Sequence, residues 1–379
     1  MIYASKSNFW VNLMTEPIKL LILFGGRSGE HAVSLMSARS VLDSADKKRY
    51  QVLQVGITQE GRWLTGENAL AAFESGRQAE LSDAVVLNEN GSAALFSRDG
   101  EKLHKVSKVD VVFPVLHGSF GEDGTMQGLL EVLDLAYVGA GVLGSSAAMD
   151  KAVTKHIVGA DGTPVLDFKV FNRSEIHTEI AKVAEEAEKI AAYPLFVKPA
   201  NLGSSVGITK AKNHAELLEG LALAARYDRR VLVERGIPAR EIEVSVLGND
   251  NPIVSLPGEI FPGAEFYTYT DKYYSGDPEL AIPAELTDVQ TAMIQANAIK
   301  AYRALDCAGM ARVDFLMDKN TNQIYFNEVN TIPGFTRISM YSKLWTASGM
   351  EYSQLIDKLI DLALERKADK DQTLRRYEA

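Results

Sequence analysis

The sequence predicts a multidomain protein of mixed α/β and α+β class whose first domain is an α/β domain with a parallel sheet. The chain has 379 residues, a length that corresponds to two or three domains. Its first apolar run, residues 18–24, is followed by a glycine turn and then by apolar residues at helical spacing. The order strand, turn, helix is typical of a parallel sheet. Further apolar runs of strand length recur from residue 195 onwards.

Composition indicates a soluble globular protein and argues against several classes. Apolar residues make up 46% and charged residues 24% of the chain, and 40 basic against 50 acidic residues give a net charge of −10. The chain has neither a basic run nor an apolar stretch long enough to span a membrane. The single cysteine, Cys307, cannot form an internal disulfide and favours a reducing compartment. We therefore expect a cytoplasmic protein with neither nucleic acid nor a membrane as a partner.

We expect the first domain to span residues 17–145. Residues 1–16 read as a disordered N-terminal extension, because their apolar residues are few and interrupted and no signal-peptide pattern is present. In chain order, the domain is predicted to contain strands at 18–24, 52–57 and 110–116, with a helix after the glycine turn at 25–30, and residues 137–141 are expected to close it.

A central lobe is expected over residues 146–240 and a C-terminal lobe over residues 241–366. The central lobe has a helical pattern around residues 180–190, strands at 195–198 and 231–234, and a glycine/serine loop at 203–207. These elements predict a small α+β unit.

The C-terminal lobe begins with a strand in which Ile242, Val244 and Val246 alternate with Glu243 and Ser245, a pattern that predicts one solvent-exposed face. Later elements of the lobe are also marked in the sequence. Thr287 and Gln290 have capping-box spacing at the start of a helix, residues 257–283 form a long loop rich in glycine, proline and tyrosine, and the charged residues 367–379 are expected to fray.

The most informative stretch is a predicted hairpin in the C-terminal lobe. If its register is symmetric about Thr321, Asp314 lies opposite Glu328. The same register places Arg312 opposite Asn330, with all four side chains on one face. Two carboxylates at ~5 Å repel by roughly 3 kcal/mol at an effective dielectric of about 20, and a divalent cation would reverse that sign. Oxygen ligands of this kind suit Mg²⁺, although a solvated hairpin with exposed acids is the alternative.

Phosphate binding is indicated by two lysines and a loop. Lys151 follows a turn, Lys198 ends a strand, and the glycine/serine loop 203–207 comes next. Backbone amides of such a loop together with two lysines can hold a polyphosphate, although each feature alone is common on solvated surfaces. The loop lacks the Gly-Lys-Ser/Thr ending of a Walker A sequence, and residues 25–30 lack the third glycine of a dinucleotide fingerprint.

Two further polar residues lie at the ends of predicted strands of the first domain. His117 follows the third strand, at the sheet edge where ligands bind, although a single histidine there more often has a structural role. Glu30 precedes a helix and could either cap it or hold an ammonium group.

In their order along the chain, these motifs resemble the D-alanine–D-alanine ligase family of ATP-grasp enzymes. The resemblance covers residues 18–365. The motifs that carry it are residues 25–31 and 33–35, 116–118 with 121–124, 149–151, 197–199, 203–207, 272–273, 312–314, 327–330 and 333–336.

The resemblance implies a three-domain ATP-grasp fold and a two-step reaction. The carboxylate of one D-alanine attacks the γ-phosphate of ATP, and the amine of a second D-alanine then attacks the resulting acylphosphate, releasing ADP and phosphate. It further implies ATP as co-substrate, two Mg²⁺ or Mn²⁺ ions, and a homodimer formed through the N-terminal domain.

The resemblance also implies roles for particular residues. Arg312 and the backbone amide of Gly334 would stabilise the oxyanion, and Glu30 would hold the first ammonium group, with His117 beside that substrate. Ser204 and Tyr273 would join Glu30 in a hydrogen-bonded triad. Ser339 and the amide of Met340 would receive the second carboxylate. The implied ATP contacts are Lys151, Lys198, Ser204, Ser205, Glu234, Arg235, Ile237, Glu241, Lys272 and Asn327, and the implied metal ligands are Asp314, Glu328 and Asn330.

The long loop 257–283 would contain a lid, with Tyr269, Lys272 and Tyr273 facing the reaction. The Lys-Tyr pair is typical of the peptide-forming members, so D-alanine is favoured over D-lactate as second substrate. A ligase that joins D-alanine to D-lactate or D-serine, and an ATP-grasp ligase with another acceptor, are the alternatives. A non-catalytic binding protein is disfavoured because all three implied metal ligands are present.

Two positions depart from the family pattern. Ala32 stands where many members carry glutamate. Arg337 stands where a serine is common. The arginine could either add positive charge for the second carboxylate or point to solvent.

Overall fold

The computed structural model describes residues 16–261 and 279–374. Residues 1–15 of the expected extension lie outside this range. So do Tyr269, Lys272 and Tyr273 of the expected lid, and residues 375–379. The predicted α/β and α+β class is confirmed, and the described strands form three sheets that follow one another along the chain.

The first sheet has eight strands and is only partly parallel. The strands are β1 (Ile18–Gly25), β2 (Tyr50–Ile57), β3 (Trp63–Thr65), β4 (Ser82–Glu89), β5 (Ser92–Asp99), β6 (Lys102–Lys108), β7 (Val111–Pro114) and β8 (Ala136–Tyr137). Their order is β6-β5-β4-β3-β2-β1-β7-β8. The strands β2, β1 and β7 are parallel, as predicted, and β8 pairs in parallel with β7, whereas β3 to β6 are joined by antiparallel pairing.

The antiparallel strands β4 to β6 were not predicted from the sequence. The strand β6 is exposed along most of its length and consists mainly of polar residues, and the apolar residues of β4 and β5 form only short runs. A turn signal was nevertheless present, since Asn90 and Gly91 both have positive φ (53° and 79°) between β4 and β5. Asn-Gly in this conformation is the typical two-residue hairpin turn.

The strand β1 is buried on both faces, which explains its continuous apolar sequence. Leu20, Ile22 and Phe24 belong to one apolar cluster, and Leu21 and Leu23 belong to another on the opposite face. The helices of this region are α1 (His31–Ser44), α2 (Ala69–Glu74), α3 (Thr125–Val132) and α4 (Val142–Met149). Because β1 and β7 are parallel, the loops that contain Glu30 and His117 emerge at the same edge of the sheet.

The second sheet is antiparallel, with the order β11-β10-β12-β9. Its strands are β9 (Phe168–Asn172), β10 (Leu195–Pro199), β11 (Thr209–Ala211) and β12 (Arg230–Arg235). The neighbouring helices are α5 (Lys151–Ala160), α6 (Arg173–Glu188) and α7 (His214–Tyr227). The glycine/serine loop connects β10 to β11, so its position is fixed by a strand at each end.

The third sheet is also antiparallel, with the order β16-β15-β13-β17-β18 and with β14 paired to β13. Its strands are β13 (Ala239–Gly248), β14 (Ile253–Val254), β15 (Gly258–Phe261), β16 (Glu279–Ala281), β17 (Gly309–Asp318) and β18 (Ile324–Asn330). The helix α8 (Asp288–Ala304) packs on this sheet and begins with the predicted capping box, in which Thr287 Oγ1 accepts from Gln290 N at 3.2 Å.

The prediction that β13 has a solvent-exposed face was wrong. Both Glu243 and Ser245 are buried. Ser245 Oγ donates to the carbonyl oxygen of Tyr341 at 3.2 Å, and Glu243 lies against Arg312. The alternation therefore separates an apolar core face from a buried polar face that belongs to the site described below.

Two helices complete the described chain, α9 (Met340–Ala347) and α10 (Tyr352–Lys370). The helix α10 returns to the first sheet, where Arg366 donates to the carbonyl oxygens of Tyr137 and Gly139. It continues to Lys370, into the stretch that was expected to fray, because Lys367 pairs with Asp134 and with Asp371. No helix in the described parts of the chain is long and apolar enough to cross a membrane.

Candidate active site at the junction of the three sheets

The hairpin of β17 and β18 has the predicted register where it matters for the site. Asp314 pairs with Glu328 and Arg312 pairs with Asn330. The symmetry does not extend to the turn, because the register shifts after Asp314 and Phe315 pairs with Phe326. Asn327 is the extra residue of this bulge. Consecutive Asn327 and Glu328 are therefore both half-buried, where simple alternation would bury one of them.

A row of three carboxylates crosses the third sheet at this point. Glu243 on β13 lies opposite Asp314 on β17, which in turn lies opposite Glu328 on β18. Arg312 neutralises part of this charge. Its Nε and Nη2 donate to the two oxygens of Asp314 at 2.8 and 2.7 Å, and its Nε lies 3.0 Å from Glu243 Oε2. Although burial opposes the charged form, these carboxylates raise the pKa of Arg312 further above its already high ordinary value.

The cluster has an excess of acidic groups that fits a divalent cation. Three carboxyl groups, those of Glu243, Asp314 and Glu328, face two cationic groups, those of Arg312 and Lys151. Asn330 Nδ2 donates to Asp314 Oδ2 at 3.0 Å, which places the side-chain amide beside the acids. Within residues 16–261 and 279–374, no three His, Cys, Asp or Glu side chains are grouped so that they could hold a metal ion, and the predicted ligand set contains only two acids and an amide.

Lys151 joins the start of the glycine/serine loop, at Leu202, to the row of three carboxylates. It is the first residue of α5, and its Nζ donates to the carbonyl oxygen of Leu202 at 2.9 Å. The same Nζ lies 3.1 Å from Glu328 Oε2. Asp150 caps the helix by accepting from the backbone amides of Ala152 and Val153, which fixes the position from which Lys151 reaches the site.

Lys198 belongs to a buried triad that sequence reasoning found only in part. Its Nζ donates to Glu234 Oε2 at 2.7 Å, and Lys155 Nζ donates to Glu234 Oε1 at 2.5 Å. Lys155 and Glu234 are each 1% exposed. Burial favours the neutral carboxyl group, but the two ammonium groups outweigh it and hold the pKa of Glu234 below its ordinary value. Both carboxylate oxygens of Glu234, the predicted nucleoside contact, therefore accept hydrogen bonds from lysines.

Glu30 meets the glycine/serine loop at the edge of the first sheet. Ser204 Oγ donates to Glu30 Oε1. Gly118 has φ of +74°, and a Cβ there would lie 2.5 Å from Glu30 Oε2, so only glycine allows the carboxylate to take this position. Ser204 and Ser205 have φ of 53° and 58°, a rare conformation for residues other than glycine. Such backbone strain is typical of functional loops.

His117 is buried and both of its ring nitrogens have partners. Nδ1 lies 2.9 Å from the carbonyl oxygen of Ile332, and Nε2 lies 3.0 Å from Ser37 Oγ. Burial lowers the pKa of His117 below its ordinary value, although the charge of Glu30 acts in the other direction.

The neighbouring Glu122 is likewise buried. It accepts from the amide of Gly118 at 2.7 Å and from that of Ile332 at 3.4 Å. Burial, with a contribution from Glu30, raises the pKa of Glu122 to about 8.

The segment from Ile332 to Ser339 leads from β18 into α9. A Cβ at Gly334 would lie 3.3 Å from Ser339 Oγ, so the two residues are adjacent. Ser339 Oγ accepts from the amide of Thr336 at 3.0 Å and also bonds the hydroxyl of Thr336 at 2.7 Å. Met340 is the first residue of α9, where the backbone amide has no carbonyl partner within the helix and can bind an anion.

The other predicted nucleotide contacts lie around the ends of β12 and β13. Arg235 ends β12 and faces Asp167 and Tyr325, with its Nη2 3.2 Å from the tyrosine hydroxyl. Ile237 lies between the two strands, and Glu241 on β13 pairs in register with Leu316.

Three residues of the site were not assigned from the sequence, namely Lys155, Glu243 and Glu122. Each is an ionisable residue that is almost fully buried against an oppositely charged side chain or backbone amides. The position of Lys155, one helical turn after Lys151, was a usable signal because residues four apart lie on the same face of a helix. Glu243 was visible as an acid within an apolar strand.

The chain is similar to proteins of known family over nearly its whole length. Residues 19–140 match the family described as D-ala D-ala ligase N-terminus, and residues 157–361 match D-ala D-ala ligase C-terminus. A D-alanine–D-alanine ligase from Thermoanaerobacter sp. strain X514 is 52% identical over 94% of this chain and 99% of its own. The corresponding protein of Natranaerobius thermophilus is 48% identical over 94% of this chain and 98% of its own.

Solved structures of two ligases have the same fold. The D-alanine-D-alanine ligase from Coxiella burnetii matches with a TM-score of 0.80 and 35% identity, covering 94% of this chain and 97% of that one. The VanG D-Ala:D-Ser ligase from Enterococcus faecalis also matches with a TM-score of 0.80 and 35% identity, covering 92% and 100%. Both regions of the family match this chain, and its relatives are 48% and 52% identical to it. The chain therefore belongs to the D-alanine–D-alanine ligase family.

Proposed function

We propose that the protein uses ATP to join two D-alanine molecules into D-alanyl-D-alanine through an acylphosphate intermediate. The observation that carries this proposal is the meeting of the three sheets at one place. Glu30 from the first sheet bonds Ser204 of the glycine/serine loop, and Lys151 bonds both Leu202, the residue before that loop, and Glu328 of the third sheet. A bound amino acid, a polyphosphate and a cation are the ligands that these three groups of residues suit.

In the first step, the carboxylate of one D-alanine attacks the γ-phosphorus of ATP and ADP leaves. Lys151, Lys198 and the amides of residues 203–207 are suited to hold the phosphates. Asp314, Glu328 and Asn330 would hold Mg²⁺ or Mn²⁺, which neutralises the charge of the transferring phosphoryl group. Glu30 would hold the ammonium group of the substrate.

In the second step, the amine of another D-alanine attacks the acylphosphate carbonyl, and phosphate leaves as the peptide bond forms. Negative charge develops on the carbonyl oxygen, and fixed donors aimed at that oxygen lower the barrier. Arg312 and the Gly334 amide are proposed as these donors. Ser339 and the Met340 amide are proposed to bind the carboxylate of the second substrate.

An acceptor panel tests this function. ATP, Mg²⁺ and D-alanine together are expected to give ADP, phosphate and D-alanyl-D-alanine, measured by coupled ADP release and by chromatography of the product. D-serine and D-lactate serve as alternative acceptors, because a D-Ala:D-Ser ligase matches this fold with the same TM-score and identity. ADP release that requires an amino acid other than D-alanine would overturn the proposal.

Acceptor choice is proposed to depend on Tyr273, which lies outside the described residues. Tyr273→Phe is expected to weaken the selection of D-alanine over D-lactate. An unchanged ratio of the two products in a mixed-acceptor assay would show that Tyr273 does not determine the choice of acceptor.

We also propose a homodimer formed through the N-terminal domain. Exposed apolar side chains on α3 and α4 support it, with Val132 83% and Leu143 63% exposed. Sedimentation of the wild-type protein and of Val132→Glu is the test. A dimer that the substitution disrupts is the expected result, and a wild-type monomer contradicts the proposal.

A further inference from the structure

We propose that Ser37 is a positioning residue for the loop that carries the Gly334 amide. The inference rests on the proposed function, in which that amide is one of the two oxyanion donors. Ser37 lies on α1 of the first domain and is 0% exposed, so it cannot contact a substrate in this structure.

Ser37 closes a ring of hydrogen bonds across two domains. Its Oγ lies 3.1 Å from the backbone nitrogen of Phe335 and 3.0 Å from His117 Nε2. His117 Nδ1 lies 2.9 Å from the carbonyl oxygen of Ile332. The ring therefore reaches the loop on both sides of Gly334, at Ile332 before it and at Phe335 after it.

The direction of each bond in the ring follows from its members. A carbonyl oxygen can only accept, so His117 carries its proton on Nδ1 and presents a lone pair at Nε2. The Ser37 hydroxyl must then donate to Nε2, which leaves its oxygen free to accept the Phe335 amide proton. Neutral His117 satisfies every bond. A protonated imidazole would compete with the hydroxyl for the role of donor.

Loop position matters because an oxyanion donor acts only at short range. A displacement of about 1 Å in an active site can lower the rate by about 100-fold. Other contacts also hold this loop. Tyr352 donates to the Phe335 carbonyl oxygen at 2.7 Å and Glu122 accepts from the Ile332 amide. Removal of Ser37 is therefore expected to loosen the loop without unfolding the domain.

Ser34 is a matched control on the same helix. It is one turn before Ser37, is also 0% exposed, and also accepts from one backbone amide while donating once. Its partners are Gly25 N and the carbonyl oxygen of Val115, both in the first domain. Ser34→Ala thus removes a buried hydroxyl group of the same kind, with the same kinds of hydrogen bond, but does not affect the loop of Gly334.

The experiment compares Ser37→Ala with Ser34→Ala in the full-length protein. Both are expected to lower the melting temperature. Only Ser37→Ala is expected to lower kcat by about 10- to 100-fold, with the KM for ATP unchanged, and to lower the ratio of dipeptide formed to ADP released. Equal kcat and equal product ratios in the two variants would overturn the inference. Ser37→Cys retains a weak donor and should fall between Ser37→Ala and wild type if the alanine variant does not fold.

A second measurement does not depend on the reaction. Nitrogen NMR of the wild-type protein, with the ring of His117 assigned among the six histidines, is expected to show that this ring stays neutral with its proton on Nδ1. That signal should change in Ser37→Ala and persist in Ser34→Ala. Observation of His117 with its proton on Nε2 would overturn the inference. If the wild-type protein lacks D-alanine-dependent ADP release, the proposed function fails, and this measurement still tests the ring.

Discussion

Arg337 Nη2 donates to Ser44 Oγ at 2.9 Å, at the C-terminal end of α1. The guanidinium also lies over the ring of Tyr352, 5.9 Å from its centroid. The sequence left two roles open for Arg337, binding the second carboxylate or pointing to solvent. In the structure Arg337 is exposed, in agreement with the second of these roles, and it also links the loop of Gly334 to the first domain.

Replacement of Arg337 is expected to have a small effect on the second substrate. An exposed hydrogen bond of this kind contributes about 0.5–1 kcal/mol, so Arg337→Ala should raise the KM for the second D-alanine by only about 2- to 5-fold. A direct bond to the substrate carboxylate would contribute about 1.5–3 kcal/mol and cost about 10-fold or more. Initial rates over a wide D-alanine range distinguish the two. Ser44→Ala should reproduce the small effect and should not add to it in the double variant.

Glu328→Gln is expected to lower turnover by about 100-fold or more while the fold is retained, because the proposed cation would lose one carboxylate ligand. In the wild-type protein, MgCl₂ should raise the melting temperature, since a ligand that binds only the native state stabilises it. In the variant this rise should be much smaller.

Glu179→Gln removes an exposed acid paired with Lys182 and serves as the control for Glu328. A Mg²⁺-dependent rise in melting temperature that is the same in all three proteins would place the cation elsewhere.

Lys155→Met is expected to destabilise the protein strongly. Breaking a buried ion pair costs about 3–5 kcal/mol, and the lower end applies here because Glu234 keeps Lys198. Lys182→Met removes a lysine from an exposed pair with Glu179, where the cost is about 0–1 kcal/mol. Free energies of unfolding from urea titrations measure both. Similar losses in the two variants would show that the buried triad does not stabilise the fold.

Glu122 is expected to make stability depend on pH. Its folded pKa of about 8 exceeds its ordinary value of 4.5, because burial and Glu30 disfavour the charged form. The folded state therefore binds the proton more tightly than the unfolded state. The resulting contribution to the free energy of unfolding is fully present below pH 4.5 and is lost as the pH rises to about 8. His117 acts in the opposite sense, since its lowered pKa costs stability as the pH falls through the ordinary histidine value.

Comparison with Glu122→Gln isolates the pH-dependent contribution of Glu122 to stability, because glutamine does not titrate. The free energy of unfolding of the wild-type protein, relative to that of the variant, should fall between pH 5 and pH 8. A difference that is constant with pH would contradict the raised pKa.

Local sequence patterns predicted some of the elements and part of the site. The β1 run, the capping box at Thr287 and the cross-strand pairs of Asp314 and Arg312 were all readable, because they depend on residues close in sequence. The bulge at Asn327 was not, since an extra residue in one strand changes no local composition. The prediction that Glu243 is exposed to solvent was wrong, because Arg312, which lies against it, belongs to another strand.

The sequence by itself determined the family, part of the order of the elements and the set of chemical groups available to the site. Tertiary structure decided which of those groups meet. Ser37 bonds a histidine 80 residues away and an amide 298 residues away, and Lys155 finds Glu234 at a separation of 79 residues. Hydrophobic periodicity reports only on neighbours in the same element, whereas these contacts depend on how three separate sheets pack against one another.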